Sequence, residues 1–323
     1  MDLALSKPRI TGFLHHAYPL SIVGNYNDYL PWFYSNYVQL ICNTDYFEGI
    51  NDHLIDFYFP NDPLFSFPCM ECFAVKPEFF DNKIDIVPFM INSINKKCYV
   101  YTHVDEFFIP NRSAYNYKHF THNILVYGYE KNNFKVLGFD QNSNFTHTEV
   151  GFKEFSLGYE NANYQLTILY NYNDYIKPKF DINNLVRSLN DYKFSINSIN
   201  GNGFLPENPV FGLNIYMQLD FYLRNVRESQ QKIDIRPFHI LWEHKKTMFD
   251  RIEYLDDDFI INKEELLKKS RDLVDLSIGC RNTALKYIFT NNSKTITDLL
   301  SSIDDLFYKE NIFLDELLVN LHK

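Results

Sequence analysis

Residues Ile124-Leu125-Val126-Tyr127-Gly128-Tyr129, Glu130-Lys131-Asn132-Asn133 and Phe134-Lys135-Val136-Leu137-Gly138-Phe139 decide the fold class. Two runs of β-branched and aromatic residues flank a polar turn of hairpin length, the pattern of an antiparallel strand pair. Outward from it, residues 99–104 and 165–170 have the same character and read as further strands. Beyond Pro206 the apolar spacing becomes helical. Asn208-Pro209 reads as a helix start, with Asn as cap, Pro in the first position, and Leu213, Met217 and Phe221 along one stripe. Pro237 opens another helix, with Phe238, Leu241, Trp242, Lys245, Phe249 and Ile252 on one face. Asn262 and Glu265 have the spacing of a capping box for a helix through residues 273–285. Near the end, Ile296, Leu299, Leu300, Ile303, Leu306 and Phe307 keep helical periodicity. The expected class is therefore α+β. An antiparallel sheet with packing helices spans residues 1–205, and a helical region over 206–323 packs on it rather than folding alone.

Composition narrows the function classes. The chain has 323 residues, 46% hydrophobic and 22% charged, as ordinary folded proteins do, with 30 Phe and 24 Tyr. A net charge of −10 without any basic run argues against nucleic acid as a partner. No apolar stretch of spanning length and no leader-like segment appears, so no membrane association is expected. The 5 Cys are scattered, which suits a reducing, cytoplasmic setting better than a disulfide framework. Cys69-Met70-Glu71-Cys72 has the spacing of a zinc half-site, but no second pair follows and two plain thiols are expected. His15-His16 are adjacent and diverge on a regular element, so no metal is expected there either. Trp32, Phe33, Tyr34 and Tyr37 read as core. Gly201-Asn202-Gly203 is a turn rather than a nucleotide loop, and no cofactor is expected.

The chemistry concentrates between Val100 and Asp140. Asp105-Glu106 follows one strand, His119 and His122 precede the next, and Asp140 ends the third. Antiparallel pairing brings the start of one strand beside the end of its partner. That places Asp140 to fix one tautomer of the His122 imidazole and to stabilise its charged form, as base and orienting carboxylate do. The plain alternative is a strand-end His and a turn Asp that cap backbone groups. His119 is the rival for the role of base, and Asp105-Glu106 could be a solvated strand end.

Asp105-Glu106, the paired histidines, Tyr127-Gly128-Tyr129 and Asp140 together resemble the N-terminal domain of the butirosin biosynthesis protein H family, which is similar to papain-like, bacteriocin-processing cysteine peptidases. Phe211-Gly212-Leu213 and the segment Phe238-His239-Ile240-Leu241-Trp242-Glu243-His244-Lys245 resemble related chains found near peptide-synthetase genes. The resemblance implies a papain-like fold and transfer of an acyl group from an acyl or peptidyl carrier protein to a small-molecule amine. It implies a Cys–His–Asp site, with His122 and Asp140 as two members and Asp105 or Glu106 binding the amine. The family cysteine belongs at a helix start near the N-terminus, and Ala17 stands in that position here. Three outcomes stay open: the site is inactive, another residue such as Cys42 or Ser21 serves, or an alanine replaces the nucleophile. The functional alternatives are accordingly an inactive module that holds a carrier or a peptide, and a peptidase-like hydrolase.

Overall fold

The computed structural model describes residues 1–49, 53–76, 85–199 and 205–322 and has the α+β class expected. In chain order its helices are α1 (Leu14–Val23), α2 (Leu30–Asn36), α3 (Ile86–Asn95), α4 (Phe152–Glu160), α5 (Ile182–Phe194), α6 (Ile215–Ser229), α7 (Arg236–Tyr254), α8 (Lys263–Thr290) and α9 (Ser293–Asn320). The strands are β1 (Leu40–Asn43), β2 (Ile55–Phe57), β3 (Met70–Val75), β4 (Tyr99–Asp105), β5 (Thr121–Glu130), β6 (Asn133–Phe139), β7 (Phe145–Gly151), β8 (Thr167–Tyr172) and β9 (Pro209–Phe211). Two units emerge, Met1–Tyr29 with Pro63–Pro178, and Leu30–Asp62 with Lys179–Lys323. Residue 205, the single boundary read from the sequence, lies inside the second. The Gly201-Asn202-Gly203 turn lies outside the described residues.

The first unit is built on a six-stranded antiparallel sheet in the order β3-β8-β4-β5-β6-β7. The deciding hairpin forms as the sequence dictates: Glu130 pairs with Asn133, and Lys131 takes a left-handed φ of 52° to close the turn. Strand alternation sends Val100, Val104, Ile124, Val126 and Val136 to one face, where they pack with residues of α3 and α4 such as Met90 and Phe155. Asp85 caps α3 by accepting from the Val87 N–H. Tyr101 points from the other face and meets the Tyr18 ring of α1 edge-on at 6.0 Å.

The second unit has a small antiparallel sheet, β2-β1-β9, and the long helices. Asn208-Pro209 does not start a helix; Pro209 opens the edge strand β9 and pairs with Asn43, a position where its missing N–H costs nothing. Helix α6 begins later, and its buried face carries Ile215, Leu219, Tyr222, Leu223 and Val226, while Met217 and Phe221 face outward. Asn262 precedes α8 as expected but takes φ 54° and makes no cap; its amide bonds the Asn320 side chain at 2.8 Å instead. The faces read for α7 and α9 hold apart from half-exposed Phe307. The α8–α9 turn is made by two asparagines, Asn291 in the left-handed region and Asn292 capping α9 through the Lys294 N–H. Buried Arg251 donates to the Tyr34 and Tyr37 carbonyls and so satisfies the end of α2.

Gly212 has φ 57°, and a Cβ there would lie 2.1 Å from the Tyr192 carbonyl oxygen, which is backbone and has nowhere to go. Gly212→Ala is therefore expected to cost about 3 kcal/mol or more. Urea unfolding should show a lower midpoint at an unchanged slope; an unaltered midpoint would contradict this packing. Among the described residues, no helix is long and apolar enough to cross a membrane.

Candidate functional site

Strand β4 ends at Asp105 and Glu106 follows it; Asp105 holds His119 from the chain that leads into β5, and Glu106 holds His122, the second residue of β5. The register sets Val104 opposite His122 and Asp105 opposite Thr121, and the Glu106 N–H bonds the Phe120 carbonyl at 2.9 Å. From that turn, Asp105 Oδ2 accepts from His119 Nδ1 at 2.5 Å, and Glu106 Oε1 accepts from His122 Nδ1 at 2.9 Å. The two pairs differ in burial. The His119 side chain is 68% exposed, whereas His122 is 33% exposed on a Glu106 side chain exposed by 7%. With its proton on Nδ1, His122 presents Nε2 as an acceptor, and Nε2 has no partner among the described residues. The Phe120 ring lies 5.2 Å from the His122 ring.

Asp105 is fully used as a clamp. Its Oδ1 takes the N–H groups of Phe107 and Phe120 at 3.1 and 3.0 Å, and its Oδ2 takes His119. Burial pushes this carboxyl up, but the bonds from His119, Phe120 and Phe107, with the His119 charge, outweigh it and hold the group below the usual carboxylate range. The sign follows: Asp105 stabilises the fold above its unfolded-state pKa, and that contribution is lost as pH falls through the lower folded-state value. Asp105→Asn should therefore flatten the acid limb of a stability-against-pH curve measured by urea unfolding. Curves that stay parallel from neutral to acid pH would show that Asp105 does not titrate with folding.

A chain of buried polar groups lies beside the two pairs. Tyr18 of α1 donates to the Asn123 carbonyl at 3.2 Å, Asn123 Nδ2 donates to the Tyr101 hydroxyl at 3.1 Å, and Tyr101 lies 3.4 Å from His103 Nε2. His103 donates from Nδ1 to the Leu166 carbonyl at 3.2 Å. Its pKa is lowered to about 4, first by burial and further by the nearby His122 charge, against the pull of the Leu166 carbonyl, so it remains neutral. Burial raises the Tyr18 phenol far above its ordinary value; Arg112 opposes this, while Tyr101 and Glu106 add to it. Arg112 is buried, donates to the Phe139 carbonyl, and has a second guanidinium nitrogen without a partner among the described residues.

The residues singled out in the sequence divide as follows. The β5–β6 pairing runs to Leu125 and Leu137, three residues short of His122 and Asp140. The Asp140 carboxylate turns into its own loop, where it accepts from the Asn142 and Asn144 N–H groups at 2.8 Å each. Those bonds hold its pKa below the usual range, the Asn144 N–H foremost. Asp140 thus takes the turn-capping role that was the plain alternative, and Glu106, expected to bind an amine, orients His122 instead. Asp105 has no open oxygen for an amine. Ala17 is the fourth residue of α1, fully buried, with its N–H on the Phe13 carbonyl; the neighbouring Tyr18 side chain is the one that enters the polar chain. The Ser21 hydroxyl is spent on the Ala17 carbonyl at 2.7 Å.

No cysteine has the surroundings of a thiolate. Burial lifts Cys42 and Cys280 to about 12 and Cys69 and Cys72 to about 11, and raises Cys98 as well. Cys42 also belongs to the second unit, in strand β1. Tyr18, Asn123 and Arg112 belong to no motif, and nothing in the sequence singles them out. The Glu106–His122 pair left a signal that was not used: two adjacent acids closing one strand and two histidines opening the next, in matching order. Comparison with protein-family models and with curated proteins finds no match to this chain.

Proposed function

We propose that the chain is an acyltransferase of the papain-like kind, in which His122 is a general base oriented by Glu106. It would move an acyl group from a carrier-protein thioester to an amine without a covalent enzyme intermediate. The observation that carries the reading is the His122 imidazole, anchored at Nδ1 by a buried carboxylate and open at Nε2. In the proposed step Nε2 takes a proton from the amine as its nitrogen attacks the thioester carbonyl. The C–N bond forms, the C–S bond breaks, and the carrier thiolate leaves with the proton returned by His122. Direct attack fits a chain in which burial holds the cysteines as thiols and Ala17 stands where the resemblance places the nucleophile. The same thiols favour a second reading, a module that binds a carrier without turning it over. A cytoplasmic setting, where thiols stay reduced, belongs to the same proposal.

An acyl-carrier thioester incubated with a panel of amines tests it. Sequential kinetics, with both substrates needed before any carrier thiol appears, support direct transfer. Binding of the carrier with no thiol release under any amine supports the module. Release before amine is added, with an acylated protein seen by intact mass, would overturn both.

A further inference from the structure

A cleft in the second unit, with an apolar wall and a few polar groups, has the makings of a ligand site. It holds about 490 Å³ of space, part of it open to solvent, between α5 and the segments around residues 36–39, 58–60 and 197–199. Most of its amides are already engaged: Asn184 Nδ2 bonds the Ser35 carbonyl and Asn36 Oδ1 at 2.7 and 3.2 Å, and Gln39 Nε2 bonds the Ile196 carbonyl at 2.9 Å. Three groups on one face of α5 are not engaged in this way. Asp191 is 4% exposed, and its Oδ2 accepts from the Ser198 N–H and hydroxyl at 3.1 and 2.7 Å. Those bonds fix the carboxylate, and its Oδ1 has no partner among the described residues. Ser188, 6% exposed, lines the same cleft with a hydroxyl that makes no hydrogen bond among them. Arg187, exposed at the rim one turn from Asp191, donates to Asn184 Oδ1 at 2.5 Å but pairs with no carboxylate among the described residues. Opposite stands an apolar wall of Tyr58, Phe59 and Pro60, with the Tyr58 hydroxyl fixed by Asn197 Nδ2 at 3.1 Å.

We propose that this cleft binds a free α-amino acid with an apolar side chain. A buried carboxylate with an open oxygen, next to an idle hydroxyl, is a seat for an ammonium group, because burying it unpaired is costly and a charged donor relieves that cost. A simple cation would sit on Asp191 but face the Arg187 guanidinium, and a simple anion would meet Asp191. A molecule with both charges suits both residues. The Cβ atoms of residues one helical turn apart are roughly 5–6 Å from each other, so an Arg187 side chain swung from Asn184 toward Asp191 brings its guanidinium within reach of a carboxylate whose shared carbon carries the ammonium on Asp191. The side chain of the amino acid then covers the wall of Tyr58, Phe59 and Pro60. This inference stands independently of the acyl-transfer reading, since every residue it uses belongs to the second unit.

Calorimetry on the full chain with L-leucine and L-phenylalanine, and with N-acetyl-L-leucine and L-leucine amide as controls, tests it. The zwitterions should bind, and removing either charge from the ligand should weaken binding about tenfold or more. Arg187→Ala should reduce the affinity for L-leucine to that for L-leucine amide and leave the amide itself unaffected, which a merely structural role for Arg187 would not do. Ser188→Ala should weaken leucine and its amide alike. Asp191→Asn disturbs the Ser198 contact and could fail to fold, so the exposed Arg187 carries the decision. No binding of either amino acid at about 10 mM, equal binding of the N-acetyl compound, amide binding as tight as leucine, or indifference to Arg187→Ala would each overturn the proposal.

Discussion

Glu310→Leu is expected to lower the stability of the protein by about 3–5 kcal/mol, because it strands a buried lysine. Lys245 and Glu310 are 1% and 2% exposed and form an ion pair inside the second unit. All three ammonium protons of Lys245 are used, on Glu310 Oε1, on the Tyr192 hydroxyl at 3.1 Å and on His244 Nδ1 at 3.0 Å. Glu310 in turn accepts from Tyr192 at 3.1 Å and Tyr216 at 2.5 Å. His244 passes the pattern on, donating from Nε2 to the Val38 carbonyl at 2.7 Å. Burial pushes Lys245 down while Glu310 opposes it, and burial together with the Lys245 charge drives His244 well below its ordinary value, so His244 is neutral. The network ties α5, α6, α7 and α9 together. Taking away one partner leaves uncompensated charge, whereas taking away both leaves none. Lys245→Met combined with Glu310→Leu should therefore regain most of the loss in urea unfolding. If the double variant is as unstable as the sum of the two single ones, the pair is not coupled as described.

His122→Ala should reduce amine transfer from a carrier thioester by about 10²–10⁴-fold, the usual contribution of a positioned general base. Glu106→Gln retains an acceptor for Nδ1 but removes the charge that stabilises the imidazolium, and a loss of about 10²-fold is expected. Asp140→Asn should transfer at nearly the wild-type rate. Its carboxylate serves only the turn through Asn144, so the substitution is felt in local stability and not in chemistry. Far-ultraviolet circular dichroism on each variant separates a lost base from a lost fold. A large loss with Asp140→Asn and little with Glu106→Gln would reverse the assignment.

The fold was legible where periodicity is long or unambiguous. The hairpin of β5 and β6, strands β4 and β8, and the faces of α7 and α9 all follow from side-chain pattern and turn chemistry. Two adjacent signals misled at Asn208-Pro209, because Asn before Pro suits a helix start and an edge strand equally, and only the pairing of Pro209 with Asn43 decides. Leu213, which anchored the stripe read from the sequence, lies in a turn before α6, so its burial says nothing about the helix face, and Met217 and Phe221 are exposed. The discontinuity of the two units was not legible, since the contacts that assign residues 30–62 to the C-terminal half are long-range. At the site, strand order placed His122 and Asp140 near one another in backbone terms, but the sequence could not say which way a carboxylate turns. Asp140 is followed by Asn142 and Asn144, whose N–H groups lie closer in the chain than any imidazole, and local bonds of that kind compete well.

The tautomer of His122 decides whether Glu106 or Asp140 orients the imidazole. Long-range proton–nitrogen correlation spectra at neutral to mildly alkaline pH distinguish a protonated from an unprotonated ring nitrogen, with His122→Gln providing the assignment. A proton on Nδ1 and a free Nε2 are expected, a balance that shifts in Glu106→Leu and is unchanged in Asp140→Asn. A proton on Nε2, or a tautomer that responds to Asp140 and ignores Glu106, would contradict the role given to Glu106.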